Sequence, residues 1–173
     1  MGTDIDAAFG HRVEFPPTDA LARSMSVGIQ RVSPLIHNEW RFNTEYHHGL
    51  GLFLIQDSDG LNVWLGPHAA LVSSGFGWPE PSEGADQKEF ITSAMRAVAR
   101  YFRSASITFL PDDIEPWCDA ERWIAEGASI EEVQQKLAAI GPPSPDLRAA
   151  IRQGPASWQV EGYVVEQLAY API

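Results

Sequence analysis

The stretch from Gly49 to Gly66 reads GLGLFLIQDSDGLNVWLG and decides the fold that we expect. Two apolar runs flank Asp57–Gly60, a segment of residue types that favour tight chain reversal. In the second run, Leu61, Val63 and Leu65 share one face of an extended chain. The first run is apolar on both faces, which is typical of a strand covered on both sides. The sequence therefore predicts a β-hairpin at the centre of a sheet.

The rest of the chain carries both strand and helix patterns, but they do not alternate regularly. Strand-like patterns occupy the first 75 residues, beginning with 11–15, and return at 106–110 and 157–170. Helical patterns lie between them. This distribution predicts a single α+β domain over residues 1–173, with a mainly antiparallel sheet around the hairpin and helices segregated to one face.

Three helical regions are expected, and the first begins at Thr18 and ends before Pro34, although 26–32 fits a strand equally well. The longest covers about 86–103, and a helical acidic segment over 111–153 is expected to pack on the sheet, its last helix reaching 153. Within that segment, Ser129 and Glu132 have the spacing of a capping box, so a helix should begin there. Its apolar spacing predicts burial of Ile130, Val133, Leu137 and Ile140.

Composition narrows the class of protein. Hydrophobic residues make up 45% and charged residues 20%, as in a folded globular chain. Cys118 is the only cysteine, so no internal disulfide can form. The first residues lack the basic and apolar regions of a secretion signal, and no run reaches the roughly 18 apolar residues of a membrane span. We therefore expect a cytoplasmic protein without a membrane association.

Negative charge dominates the chain and is unevenly distributed. The formal net charge is -11. The segment from Pro111 to Val133 contains eight acids and one base, Arg122. Such a chain is not expected to bind nucleic acid, which requires positive charge. An acidic surface instead favours association with a basic protein, although an ordinary solvated helical face explains the same pattern.

Aromatic residues occur among these acids in two segments. Aromatic anchors surrounded by charges are typical of protein-recognition surfaces. The predicted partner-binding residues are Trp78, Glu80, Glu83, Asp112, Asp113, Glu115 and Trp117. The alternative for Trp117 and its neighbour Trp123 is a structural one, in which at least one of them belongs to the core.

Histidines around the hairpin provide an alternative site. His47, His48 and His68 have side chains that bind transition metals, and nearby carboxylates can complete such a site. Adjacent residues of a strand point to opposite faces, however, so His47 and His48 do not readily share one ion. No HExxH or CxxC spacing is present, and we expect no cofactor.

Arginines form a row near the end of the longest predicted helix. Arg96, Arg100 and Arg103 have roughly helical spacing and could hold a phosphate or carboxylate. The alternative is that they face solvent or pair with the acidic segment that follows.

Taken together, the sequence favours a non-enzymatic, cytoplasmic protein-binding module with an acidic surface. One form of this function is an immunity-type protein, which neutralises a basic toxin by occluding it. The alternative is a small metal-dependent or His/carboxylate hydrolase, or a ligand-binding protein, that uses residues around the 45–68 hairpin. A structural subunit of a homo-oligomer is a third interpretation.

Overall fold

Strands and helices follow each other irregularly in the computed structural model, which describes residues 5–32, 40–43, 53–57, 61–74, 85–111, 119–147, 151–153, 158–160 and 162–170. The strands are β1 (Ile5–Gly10), β2 (Trp40–Asn43), β3 (Phe53–Asp57), β4 (Leu61–Leu65), β5 (Ala69–Ser74), β6 (Ser106–Pro111), β7 (Ile151–Gln153), β8 (Trp158–Val160) and β9 (Val164–Gln167). The helices are α1 (Asp19–Val32), α2 (Ala85–Tyr101), α3 (Asp119–Ala125) and α4 (Ile130–Ile140).

Seven strands form one antiparallel sheet in the order β2-β3-β4-β5-β1-β6-β9. The predicted hairpin is present as β3 and β4, with Gln56 opposite Asn62. It is not at the centre, however, because β5 occupies the middle position. β1 inserts between β5 and β6, so the sheet joins distant parts of the chain. The predicted single α+β domain with an antiparallel sheet is confirmed.

Helices cover both faces of this sheet rather than the one face that the sequence predicted. Leu71 and Val72 are neighbours on β5, point to opposite faces, and are both buried. Val72 belongs to the core cluster beneath α1 and α2, whereas Leu71 belongs to the cluster beneath α3 and α4. Strands with apolar side chains on both faces need cover on both sides, because leaving either exposed forfeits about 1.5–3 kcal/mol per large side chain. The one-face prediction was wrong for this reason.

The longest described helix, α2, agrees with the prediction over 86–103, and it buries Ile91, Met95 and Val98 against the sheet. The capping box of α4 is also confirmed. The Ser129 hydroxyl accepts a hydrogen bond from the Glu132 backbone N–H, and the Glu132 carboxylate accepts one from the Ser129 N–H. Of the four residues predicted to be buried in α4, Ile130, Val133 and Leu137 are buried, whereas Ile140 is 44% exposed.

Three strands differ from the sequence prediction in position or type. The first strand is Ile5–Gly10 rather than 11–15. Residues 151–153 form β7, which pairs with β8, where a helix was expected. The long strand expected over 157–170 is divided into β8 and β9 by a turn at Gly162, whose φ is +106°. Alternation of residue types cannot reveal this division, because the backbone at Gly162 changes direction while the apolar pattern continues.

The sequence predicts no membrane-spanning segment. Within the described ranges, no helix is long and apolar enough to cross a bilayer.

Candidate functional site

All seven predicted partner-binding residues lie outside the described residues. These are Trp78, Glu80, Glu83, Asp112, Asp113, Glu115 and Trp117, and the same is true of His47 and His48. His68 is described, and it is exposed in the turn between β4 and β5. The partner-binding prediction therefore stays a prediction, but the strands from which its two segments leave can be located.

Both segments leave the sheet from the same end. β5 ends at Ser74 and β6 ends at Pro111, directly before residues 75–84 and 112–118. In the sheet register, Asp6 of β1 is opposite both Ser73 and Leu110. The two exits are therefore level with each other and separated by two strand spacings, or about 10 Å. We call this the acidic end of the sheet.

The covering helices α3 and α4 carry further acidic residues. Residues 119–140 contain five acids, Asp119, Glu121, Glu126, Glu131 and Glu132, against two bases, Arg122 and Lys136. We call these five the acidic face. Arg122 pairs with Asp119 at 3.1 Å, and the Lys136 ammonium lies 5.4 Å from the centre of the Trp123 ring. Trp123 also packs against the core, which confirms the structural interpretation for this tryptophan.

A cleft occupies the opposite end of the sheet. Its volume is about 370 Å³, and residues from four parts of the chain line it. His11 and Arg12 follow β1, His68 lies in the β4–β5 turn, Phe102 to Ala105 follow α2, and Ser129 to Glu131 begin α4. The antiparallel order brings these segments together, because β1 ends where β5 and β6 begin.

His11 is fixed at the base of this cleft by two hydrogen bonds. Its Nδ1 accepts from the Val13 backbone N–H at 3.0 Å, which assigns the ring proton to Nε2. Nε2 then donates to the Gly66 carbonyl at 2.7 Å. Burial lowers the pKa of His11 more than its backbone contacts raise it, and the neighbouring His68 lowers it further. The ring is therefore held neutral, and both of its nitrogens are already in use.

Ser104 ties the end of α2 to the sheet. Its hydroxyl donates to the Ser106 carbonyl at 2.7 Å and accepts from the Gly10 N–H at 2.8 Å. Its own carbonyl accepts a short hydrogen bond from the Tyr170 hydroxyl, whose pKa is raised by burial. The cleft thus has a floor whose polar groups are paired within the protein.

Arg103 occupies an unusual backbone position beside Ser104. α2 ends in a Schellman motif, in which the Ser104 N–H donates to the Ala99 carbonyl and the Arg103 N–H donates to the Arg100 carbonyl. This motif requires a left-handed residue, and Arg103 has a φ of 56°. α3 ends in the same way, but there the left-handed residue is Gly127, with a φ of 100°. Glycine is the usual residue at such a position because a Cβ atom is unfavourable there.

The predicted arginine row is divided by the end of α2. The Arg96 guanidinium binds both carboxylate oxygens of Glu166 on β9, at 2.8 and 2.9 Å, so it joins α2 to the sheet. Arg100 is exposed, and Arg103 lies beyond the helix in the cleft wall. Among the described residues, no ion pair joins these arginines to the acidic segment.

The alternative metal site receives no support from the described ranges. Within them, no group of three or more histidine, cysteine or acidic side chains is arranged to hold a metal ion. His68 lies beside His11 rather than beside a carboxylate cluster, and the Nε2 and Nδ1 of His11 are both hydrogen-bonded. Since His47 and His48 lie outside the described residues, their part in a site stays a prediction.

Sequence reasoning missed the cleft because its residues are distant in the chain. His11 was assigned to a strand, and Arg12, Ser104 and Ser129 carried no motif that suggested ligand binding. The sequence did name one cleft residue, since Arg103 belongs to the arginine row that could hold a phosphate or carboxylate, but its neighbours in the cleft were not recognised.

Comparison of the chain with protein-family models, curated proteins and solved structures found no match.

Proposed function

We propose that this protein is a non-enzymatic, cytoplasmic protein-binding module whose acidic surface meets a basic partner. The observation that carries the proposal is the shared exit at the acidic end. Asp6 is opposite both Ser73 and Leu110, so the two segments that combine tryptophans with acids start about 10 Å apart. Two short recognition segments that start level with each other and about 10 Å apart can contribute to one binding surface.

Glu126 provides a second, independent argument. It follows the last residue of α3, its N–H still donates to the Arg122 carbonyl, and its side chain is exposed. A negative charge at the carboxyl end of a helix is unfavourable, because the helix dipole is negative there. An acid at this position does not serve the stability of α3. A negative charge that does not stabilise its helix supports a role in association instead.

An immunity-type protein is one form of this function. A protein that neutralises a basic toxin must associate rapidly, and opposite charges on the two partners increase the association rate. The negative charge of the chain and the acidic face on α3 and α4 agree with such a partner. The binding energy itself is expected to come from the tryptophans, since interface energy concentrates in a few buried aromatic anchors.

The experiment is a pull-down at low and at moderate salt with three baits. They are the native chain, the variant Asp112→Lys/Asp113→Lys, and the control Glu14→Lys/Asp19→Lys, which changes the net charge equally at two exposed residues elsewhere. Bound proteins are identified by mass spectrometry. We expect the native and control baits to retain one basic protein at low salt, and the variant at 112 and 113 to lose it.

Association kinetics with the purified partner then test the mechanism. The reversal at 112 and 113 should slow association by roughly tenfold or more, and added salt should reproduce the loss for the native protein. Equal association rates for all three baits, or a rate that salt does not change, would show that the acidic surface does not recognise the partner.

A further inference from the structure

We infer that the cleft at the carboxyl end of β1 binds a small phosphorylated ligand, with Arg12 and Arg103 holding its phosphate. This site lies at the end of the sheet opposite the acidic end and does not depend on the proposed protein-binding function. The argument rests on the charge of the cleft, the backbone of Arg103, the state of the other polar groups and the cleft volume.

The charge of the cleft is opposite to that of the protein. The chain has a net charge of -11, but the cleft is lined by Arg12, Arg103 and the imidazole of His68 against a single acid, Glu131. Both arginines are exposed at the cleft, and among the described residues neither of them has a carboxylate partner. In a protein with nearly twice as many acids as bases, two unpaired guanidinium groups in one concave site are well placed for an external anion.

The backbone of Arg103 indicates that this side chain is not the choice that stability favours at its position. It occupies the left-handed position of a helix-ending motif, where α3 of the same protein uses Gly127. A residue with a side chain is less favourable than glycine there, and such outliers concentrate at binding sites. Since the backbone motif itself is satisfied by glycine, the part of Arg103 that requires an explanation is the guanidinium.

Three further polar side chains of the cleft are already hydrogen-bonded within the protein, and they form a fixed frame. His11 uses both ring nitrogens, the Ser104 hydroxyl both donates and accepts, and the Ser129 hydroxyl belongs to the capping box. The exposed side chains that can reorient in the cleft are therefore the two arginines, His68 and Glu131, and the two arginines supply its positive charge. A fixed frame with two arginine side chains at its rim favours binding, because the frame loses little conformational entropy when a ligand binds.

The dimensions and the wall of the cleft indicate the ligand class. The planar guanidinium matches phosphate oxygens in pairs, which favours phosphate as the anionic group. A volume of about 370 Å³ is at the lower end of small-molecule sites and larger than one phosphate needs. Phe102, Ala105 and Ile130 supply apolar wall for the organic part. A phosphate monoester with a small apolar group fits this combination.

The test is a titration followed by amide chemical shifts in two-dimensional NMR, with three probes: phenyl phosphate, inorganic phosphate and benzoate. For the native protein we expect saturable shifts centred on the amides of Gly10, Ser104 and Ile130. Phenyl phosphate should bind more tightly than inorganic phosphate, because it also contacts the apolar wall. Benzoate should bind at least about tenfold more weakly, because one carboxylate offers fewer acceptors to two arginines.

Two variants separate binding from folding. Arg103→Gly places the preferred residue at the left-handed position, so it should fold at least as stably as the native chain and yet bind phenyl phosphate about tenfold or more weakly. The control Arg23→Gln removes one positive charge from the exposed surface of α1 and should bind like the native protein.

Several outcomes would overturn the inference. Linear shifts scattered over many arginines would indicate non-specific attraction of anions. Unchanged binding in Arg103→Gly would exclude the assigned role of its guanidinium. Preferential binding of benzoate would replace the phosphate assignment with a carboxylate one, and the absence of saturable shifts with every probe would exclude an anion site.

Discussion

The two ends of the seven-stranded sheet use their polar groups in different ways. At the cleft end, His11, Ser104 and Ser129 are hydrogen-bonded within the protein, and they join β1, α2 and α4. At the acidic end, the strands β5 and β6 end level with each other on either side of β1, directly before two segments that contain tryptophan and acids. The difference teaches that hydrogen bonds within the protein fix the polar groups at the base of the cleft, whereas the acidic end is characterised by the charge that its two segments carry in the sequence.

The largest effect that we expect is at the cleft end, from Gly66→Ala. A Cβ atom at Gly66 would lie 2.6 Å from the carbonyl oxygen of Ile124 and 3.0 Å from that of Ala69, and backbone atoms cannot move aside easily. We expect a loss of about 1–3 kcal/mol in the free energy of unfolding, measured with urea. The matched control is Gly141→Ala, where a Cβ atom meets nothing within 4 Å and the extended backbone suits any residue. Equal stability of the two variants would contradict the close packing of α3 on this end.

A smaller effect is expected from His11→Gln, whose amide nitrogen can replace Nε2 as donor to the Gly66 carbonyl but which has no acceptor at the Nδ1 position for the Val13 N–H. The loss at neutral pH should be about 1–2 kcal/mol. Because burial lowers the pKa of His11 from its ordinary value of 6.5, the unfolded chain binds a proton more readily than the folded one. This contribution to stability is complete above 6.5 and is lost progressively as the pH falls below it, towards the folded pKa.

The pH test compares the two proteins by urea unfolding at about pH 7.5 and about pH 5.5. The native protein should lose more stability on acidification than His11→Gln, so the difference between them should shrink as the pH falls. A constant difference would mean that protonation of His11 is not coupled to folding.

The smallest effect is expected on the acidic face, from Glu126→Lys. The substitution replaces an unfavourable charge at the carboxyl end of α3 with a favourable one and reduces the negative charge of the chain. The free energy of unfolding should therefore rise by about 0.3–1 kcal/mol, and thermal unfolding at low salt should detect it. Added salt should diminish the gain. A loss of stability instead would show that Glu126 makes a stabilising contact and is not held for association.

Local sequence patterns predicted an element correctly where the residues that form the pattern also stabilise that element. The β3–β4 hairpin follows from its apolar alternation and turn residues, and the start of α4 follows from the Ser129–Glu132 spacing. Both depend on residues within a few positions of each other. The division of the last strand at Gly162 was missed, because a single glycine does not reveal whether the chain continues straight or turns.

The cleft was out of reach for sequence reasoning. His11 and Gly66 are 55 residues apart, and Gly10 and Ser104 are 94 apart, yet both pairs are joined by hydrogen bonds. No local spacing encodes such contacts. They exist because β1 inserts between β5 and β6, a choice of strand order that the hydrophobic pattern of each strand permits but does not specify.

The sequence by itself determined the α+β class, the antiparallel hairpin, the main helices and the excess of negative charge, because these depend on composition and on short-range spacing. Only the tertiary structure decided that helices cover both faces, that Arg96 binds Glu166 while Arg103 lines a cleft, and that both acidic segments leave from one end. The physical reason is that strand order and face are fixed by the burial of many side chains together, and no single segment contains that information.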